Sequence, residues 1–218
     1  MNLRDNINSS FKKYAPQCYW GDPLDVRYFL CEKLSKFHNK KILDIGCGIG
    51  IIISCMPKDN EIFGIDFDQT LVEIAKKLNP KADINKQDMF NLQFEEQFFD
   101  IIVLADVLPQ YDFACQKTSR EMISHVKKFL KPEGAILLTT PNGNNAYFSR
   151  KHKISAKNLK ELIKDFDFEL FGYNPFPIQL DHILKYLPFW PSFLEYLMYK
   201  KIGLTRAVGL FAELKNRN

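Results

Sequence analysis

Apolar and polar residues alternate along the chain with two periods, and these periods predict strands and helices in turn. Runs rich in β-branched residues predict strands at 41–45, 61–65, 82–86, 99–105, 135–140, 168–172 and 207–214. Apolar stripes at a spacing of three and four residues predict helices at 22–37, 70–78, 115–130 and 155–165. Since strands and helices alternate, we expect an α/β domain with a mostly parallel sheet.

The stretch from Lys41 to Gly50 is the most informative part of the pattern. A predicted strand enters a turn that has glycines at alternate positions, Gly46, Gly48 and Gly50. Glycine tolerates a positive φ and lets a ligand approach the backbone closely. Residues 51–56 can begin a helix whose first amide groups would point at that ligand. The turn therefore predicts a ligand site, with a ligand-free β-to-α turn as the plainer alternative.

Three acidic residues, Asp44, Asp66 and Asp88, lie at or just after the ends of consecutive predicted strands. Ligands of open α/β sheets bind at the carboxyl ends of the strands, so we expect these acids to line one site. Asp66 is placed to accept hydrogen bonds from a ribose diol, since a carboxylate only accepts. Asp88 can receive an exocyclic amine such as that of adenine, and Phe67 offers a flat apolar wall for the base.

This pattern resembles the class I S-adenosylmethionine-dependent methyltransferases. The motifs that carry the resemblance span nearly the whole chain and lie at 44–50, 64–68, 87–89, 99–106 and 130–142. The resemblance implies a single domain over residues 1–218 with a Rossmann-like, seven-stranded, mostly parallel sheet, an antiparallel last strand and helices on both faces. It also implies S-adenosyl-L-methionine as the cofactor and S-adenosyl-L-homocysteine as the product.

The resemblance also implies a set of cofactor contacts. In that family the glycine loop wraps the methionine part of the cofactor, the acid at Asp66 holds the ribose, and the pair Asp88 and Met89 holds adenine. Arg27, in a predicted N-terminal helical cap of residues 1–38, can reach the cofactor's carboxylate. The implied contact residues are Asp44, Gly46, Cys47, Gly48, Gly50, Asp66, Phe67, Asp88, Met89, Ala105 and Arg27.

Within this family, the stretch after the strand at 99–105 and the segment Thr140–Asn142 are most similar to O-methyltransferases of quinone, glycan and lipid pathways. Many relatives carry Glu-His where this chain has Pro109-Gln110, so we expect no metal at this site. Asp106 and His152 are candidate bases for a hydroxyl proton. Asp106 can instead orient the cofactor, and the basic cluster around His152 can instead meet a phosphate or remain a solvated loop.

The segment 173–206 is too long for a hairpin between the last two predicted strands, so we interpret it as an insertion. It is rich in aromatic residues, but prolines and charged residues interrupt its apolar run, so we do not expect a transmembrane span. Two interpretations remain open: a helical lid over a pocket, and a peripheral membrane contact through 183–202. Both imply a small-molecule, glycan or lipid-type acceptor that is apolar or amphiphilic.

Composition and charge argue against several classes of function. The net charge of +4 is spread along 218 residues without a Lys/Arg block, so a nucleic-acid partner is not expected. The five cysteines show no CxxC spacing and residues 1–10 contain no apolar leader, so we expect reduced thiols in a cytoplasmic protein. Zinc-ligand spacing is absent as well. We interpret Cys47 as a small filler of the glycine turn rather than a nucleophile.

Two other function classes stay open. A nicotinamide-dependent oxidoreductase would carry a G-x-G-x-x-G turn, but Ile51 stands where its last glycine would fall. It would also need a Tyr-x-x-x-Lys pair after a central strand, and this chain has none there. A non-catalytic cofactor-binding or partner-binding module would keep the fold. The intact glycine turn and the three acids argue against that module, whereas Pro109-Gln110 leaves it open.

Overall fold

A computed structural model describes residues 30–108, 115–144, 154–173, 204 and 209–217 of the chain. Its strands are β1 (Lys41–Ile45), β2 (Glu61–Asp66), β3 (Asp83–Lys86), β4 (Phe99–Ala105), β5 (Leu130–Pro141), β6 (Phe166–Tyr173) and β7 (Gly209–Asn216). Its helices are α1 (Gln69–Leu78), α2 (Cys115–Lys127) and α3 (Ala156–Leu162). Residues 30–34 are also helical, and Ile53–Cys55 form a 3₁₀ turn.

The strands form one seven-stranded sheet in the order β3-β2-β1-β4-β5-β7-β6. Strands β1 to β5 pair in parallel, whereas β7 runs antiparallel to both β5 and β6. This arrangement confirms the predicted Rossmann-like sheet with its antiparallel last strand. The strand order reverses between β1 and β4, so their carboxyl ends flank the position where ligands of such sheets bind.

Two apolar layers cover the faces of the sheet. One layer packs α2 and α3 against side chains such as Leu43 and Ile45 of β1. The other packs α1 and the helical residues 30–34 against Ile42 of the same strand. Because neighbouring residues of a strand point to opposite faces, a short apolar run such as β1 serves both layers. The prediction of helices on both faces is confirmed.

Local signals place the ends of α1 and α3. The Asp68 carboxylate accepts hydrogen bonds from the backbone amides of Thr70 and Leu71 at 2.8 and 3.3 Å and begins α1. Ser155 caps α3 in the same way, as predicted, by accepting from the Asn158 amide at 3.1 Å. The end of α3 is earlier than predicted, because the chain turns into β6 soon after Leu162.

The predicted helix 115–130 is too long, and the turn predicted at 131–134 is wrong. Helix α2 ends at Lys127, and Leu130 already belongs to β5. Leu130 pairs with Phe99, but Ala135 pairs with Ile101, so β5 carries extra residues against β4. An irregularity of this kind lets the Pro-Glu-Gly sequence lie within a strand.

The helix predicted to begin at residues 51–56 is also wrong, because only a 3₁₀ turn forms there. Met56 leaves that turn with an extended backbone, because the residue before a proline, here Pro57, is disfavoured in the α region.

Cys55 of the 3₁₀ turn is joined in a disulfide to Cys31, whose Cα atom lies 5.4 Å away. The expectation of reduced thiols is therefore wrong for this pair.

Several expectations fall outside the described residues. These are the start of the predicted helix 22–37, nearly all of the insertion 173–206 with the predicted membrane contact 183–202, and the site residues Arg27, Pro109, Gln110 and His152. In the described part of the chain, no helix is both long enough and apolar enough to cross a membrane.

Replacing Gly134 in the irregular part of β5 tests this packing. A Cβ atom there would lie 2.7 Å from Leu130 Cδ1 and 2.8 Å from the Asp100 carbonyl oxygen, which belongs to the backbone and cannot rotate away. We expect Gly134→Ala to lower the free energy of unfolding by about 1–3 kcal/mol in urea titrations. The control Glu133→Ala changes an exposed neighbour and should stay within about 0.5 kcal/mol of wild type. Equal stabilities for the two variants would contradict the packing argument.

Candidate functional site

The glycine turn follows β1 at the carboxyl edge of the sheet. The Cys47 amide donates to the Ile65 carbonyl at 2.9 Å, and the Gly50 amide donates to the Cys47 carbonyl at 2.9 Å. Gly46, Gly48 and Gly50 have φ values of +69°, +54° and +75°. All three lie in the left-handed region that disfavours side chains, which explains why this turn requires glycine.

The three glycines meet different surroundings. A Cβ atom on Gly46 would clash with Val107 after β4, and one on Gly50 would lie 2.5 Å from Asn79 Nδ2. At Gly48, by contrast, no heavy atom of the described residues lies within 4 Å of that position. The turn is therefore packed at both ends and open at its centre, where a ligand can approach the backbone.

Asp66 at the end of β2 is buried and holds the turn in place. Its Oδ2 accepts a hydrogen bond from the Gly48 amide at 2.8 Å, and its Oδ1 accepts from the Asp68 amide at 3.0 Å. A carboxylate offers about four lone-pair positions, so each oxygen keeps the capacity to accept one more hydrogen bond. The same side chain can thus order the turn and receive hydroxyl groups of a ligand.

Asp44 is the unusual group of the site, since it is only 1% exposed and neither carboxyl oxygen has a hydrogen-bond partner among the described residues. Burial, reinforced by the negative charge of Asp66, raises the pKa of Asp44 to about 8. Unpaired buried carboxylates are costly, so this group holds its proton at neutral pH until a donor or a cation approaches.

Cys47 lies in the turn as a free, buried cysteine. Burial raises the pKa of its thiol above the ordinary value, and the charges of Asp44 and Asp66 raise it further. Since the thiolate is the reactive form, this thiol is inert as a nucleophile. These surroundings agree with its interpretation as a filler.

Phe67 and Asp88 lie on the β2 side of the site. The Phe67 side chain is 79% exposed although it directly follows buried Asp66. Asp88 is exposed, and its Oδ1 accepts from the Phe90 amide at 2.9 Å, which forms a turn after β3. Met89 in that turn is partly buried and packs against the core. An exposed ring beside these groups offers a face for a planar ligand.

Ala105 and Asp106 end β4 next to the glycine turn. Asp106 has a φ of +56°, which is uncommon for a residue with a side chain. Its amide donates to the Thr139 carbonyl at 3.1 Å, and its Oδ1 accepts from the Thr139 hydroxyl at 3.2 Å. Buried Thr139 on β5 therefore fixes both the backbone and the carboxylate of Asp106 at the edge of the sheet.

The structure thus places most of the predicted residues along one edge, at the ends of β1, β2, β3 and β4. Among the described residues, no group of three or more His, Cys, Asp or Glu side chains is arranged to hold a metal ion.

Sequence reasoning missed Asn79, whose Nδ2 donates to the Gly50 carbonyl at 2.9 Å. No local signal indicates this role, because Asn79 and Gly50 are 29 residues apart and meet only in the folded chain.

Comparisons with known proteins agree with this arrangement. A family model described as a methyltransferase domain matches residues 36–177. The ubiquinone biosynthesis O-methyltransferase of Coxiella burnetii is 27% identical over 128 residues, which cover 56% of this chain and 52% of the relative. The ribosomal protein L11 methyltransferase of Prochlorococcus marinus is 28% identical over 148 residues, with coverages of 62% and 48%. The chain spans about half the length of these curated relatives.

Solved structures show the same fold. A TehB-like S-adenosylmethionine-dependent methyltransferase from Corynebacterium glutamicum superposes with a TM-score of 0.60 at 18% identity, covering 98% of this chain and 99% of that one. A plantazolicin methyltransferase, solved with a desmethyl analogue and S-adenosylhomocysteine, gives 0.61 at 18% identity, with coverages of 99% and 96%. Since the family model covers more than half of the chain and the sheet order agrees, this protein belongs to the class I S-adenosyl-L-methionine-dependent methyltransferases.

Proposed function

We propose that the protein binds S-adenosyl-L-methionine at the glycine turn and methylates an oxygen atom of a small, glycan or lipid/quinone-type acceptor. The observation that carries the cofactor assignment is the open backbone at Gly48, flanked by Asp66 and by Asp44, whose carboxyl group has no hydrogen-bond partner in the described part of the chain. A backbone surface without side chains, lined by two carboxyl groups, suits a ligand with a ribose diol and a positive charge.

Different residues of the site are assigned to different parts of the cofactor. The remaining lone pairs of Asp66 accept from the ribose hydroxyls, and Gly46–Gly50, with Cys47 as filler, supports the methionine part. Phe67 and Met89 border the adenine ring, and Asp88 accepts from its amine. The end of β4 at Ala105 completes the edge, and Arg27 is assigned from the sequence alone as the partner of the cofactor's carboxylate.

Asp44 has a role in this proposal that follows from its isolation. Because nothing in the described chain satisfies its oxygens, a cationic group placed nearby is stabilised by the ionised form of this carboxyl. The burial that raises its pKa also removes the water that would screen such a charge. We therefore assign Asp44 to the recognition of positive charge on the cofactor.

The protein's part in the reaction is mainly alignment. When bound, the cofactor supplies a methyl group on a positively charged sulfur. Asp106, held by Thr139, faces this edge and orients either the cofactor or the acceptor hydroxyl, whose proton it can accept. His152 remains a second candidate base that rests on the sequence alone.

The acceptor assignment rests on similarity and on composition. The relative from Coxiella burnetii is named an O-methyltransferase of ubiquinone biosynthesis, which supports an oxygen acceptor on an amphiphilic molecule. The aromatic segment 173–206 supports the same class, either as a lid or as a peripheral membrane contact through 183–202. A non-catalytic module of the same fold is the alternative, which the pair Pro109-Gln110 leaves open.

Calorimetric titration with S-adenosylhomocysteine tests the cofactor site. We expect binding of this compound and no binding of NADH. Asp66→Ala should weaken binding by about 1–3 kcal/mol, because it removes hydrogen bonds to a buried carboxylate. The control Asp59→Ala removes an equal charge at the exposed His38 pair, ahead of β2, and should leave the affinity unchanged. Unchanged affinity in Asp66→Ala would remove the ribose assignment.

The buried carboxyl of Asp44 predicts a pH-dependent stability. Its pKa is raised from 3.8 to about 8 on folding, so the folded protein keeps a proton that the unfolded chain loses above about pH 4. The unliganded protein should therefore lose stability from about pH 4 up to about pH 8, by up to ~1 kcal/mol per pH unit. Asp44→Asn cannot titrate and should remove this slope. Parallel stability curves for the two proteins in urea unfolding would show that Asp44 is ionised in the folded state.

A methyl-uptake assay tests the acceptor class. The protein is incubated with radiolabelled S-adenosyl-L-methionine and a short-chain prenylated catechol, and we expect label in its methyl ether. The dimethyl ether of the same catechol is the control, since it offers no free hydroxyl. Label in a prenylated aniline but not in the catechol would contradict oxygen methylation, and absence of label in both would favour the non-catalytic alternative.

A further inference from the structure

Asn79, at the carboxyl end of α1, forms a side-chain hydrogen bond to the glycine turn. Its side-chain nitrogen donates to the Gly50 carbonyl at 2.9 Å and to the Ala75 carbonyl at 3.2 Å. A primary amide carries two N–H donors, so both are used in these contacts. Asn79 is only 9% exposed, and the two hydrogen bonds link segments 29 residues apart along the chain.

The absence of a side chain at Gly50 leaves the space that the Asn79 side chain occupies. A Cβ atom on Gly50 would lie 2.5 Å from Asn79 Nδ2 and 3.2 Å from Ala75 Cβ. The missing side chain at Gly50 is therefore what lets the amide reach the backbone of the turn. The positive φ of Gly50 directs its carbonyl toward α1, and the Ser54 amide donates to the same carbonyl at 3.1 Å.

A second hydrogen bond holds the turn two residues earlier, where the Gly48 amide donates to Asp66. The open backbone that the proposed cofactor meets is that of Gly48 itself. Binding to a turn already held in its bound shape avoids the entropy cost of ordering it. The conformation of Gly50 thus affects where the backbone of Gly48 lies relative to the ligand.

We propose that Asn79 is a positioning residue of the cofactor site, which holds the glycine turn in its binding conformation through the Gly50 carbonyl. This inference rests on the proposed function, because the position of the turn affects affinity only where the cofactor binds there. Asn79 is not assigned a contact with the cofactor. Its effect reaches the ligand through the backbone of residues 48–50.

The loss of this amide should leave the fold in place. Without the side chain, the Ala75 carbonyl still accepts from the Asn79 backbone amide at 2.9 Å, and the Gly50 carbonyl still accepts from the Ser54 amide. No buried carbonyl is then left without a partner, which is the costly outcome of such deletions. Asn79→Ala therefore loosens the turn more than it destabilises the domain.

Asn60 provides a matched control. It is also 9% exposed, and its Nδ2 donates to the Phe37 and Pro57 carbonyls at 2.8 and 3.1 Å. It directly precedes β2, at the edge of the sheet opposite the glycine turn. Its Oδ1 also accepts from the Lys40 amide at 2.9 Å, so Asn60→Ala removes two amide donors of the same kind and one acceptor from the fold without touching the turn.

The experiment compares two properties of Asn79→Ala, Asn60→Ala and wild type. Amide hydrogen exchange of Gly48, Gly50 and Ser54 is measured on the unliganded proteins, and S-adenosylhomocysteine is titrated by calorimetry well below the melting temperatures. We expect both variants to melt earlier than wild type. Only Asn79→Ala should exchange these amides faster and weaken binding, by about tenfold, the scale of two lost hydrogen bonds. Asn79→Asp, which keeps the size but loses both donors, should behave in the same way.

Two outcomes would overturn the proposal. Asn60→Ala could weaken binding as much as Asn79→Ala, which would assign the effect to general stability. Asn79→Ala could also keep the exchange rates of the turn and the affinity of wild type. Failure of wild type to bind S-adenosylhomocysteine would instead refute the proposed function, while the exchange rates of the unliganded proteins would still decide whether Asn79 holds the turn.

Discussion

The hydrogen bond between the Gly48 amide and the Asp66 carboxylate is the interaction on which the site depends. It joins the turn after β1 to the end of β2 at 2.8 Å, and the Asp66 carboxylate that accepts it is buried. Charge-assisted bonds of this kind are stronger than neutral ones. One carboxylate therefore sets the shape of a backbone segment whose glycines could otherwise adopt many conformations.

The electrostatic design of this edge has two parts. Asp66 accepts hydrogen bonds from backbone amides, whereas the described residues offer Asp44, one strand away, no such partner. Burial, reinforced by the negative charge of Asp66, raises the pKa of Asp44 to about 8, so this carboxyl keeps its proton at neutral pH. The same environment keeps the thiol of Cys47 neutral. The result is an edge with little intrinsic reactivity, in which Asp44 becomes ionised only when a donor or a cation approaches.

The sheet and most of the site follow from local sequence signals. Apolar runs such as Phe99–Ala105 identify the strands, and acids at strand ends meet because parallel strands end at one edge. The features that escaped prediction depend on contacts between distant residues. Leu130 joins β5 through its pairing with Phe99, Cys31 and Cys55 meet only in the folded chain, and Asn79 matters through Gly50. No window of neighbouring residues contains such information.

The pairing of β7 has a consequence for how this protein can diversify. Gly209 at the start of β7 lies opposite both Pro141 of β5 and Tyr173 at the end of β6. The chain between β6 and β7 therefore leaves and rejoins the sheet at the edge that carries the glycine turn. The entropy cost of a closed loop rises only slowly with its length. Evolution can thus lengthen or rewrite this segment beside the site while the strand register stays unchanged.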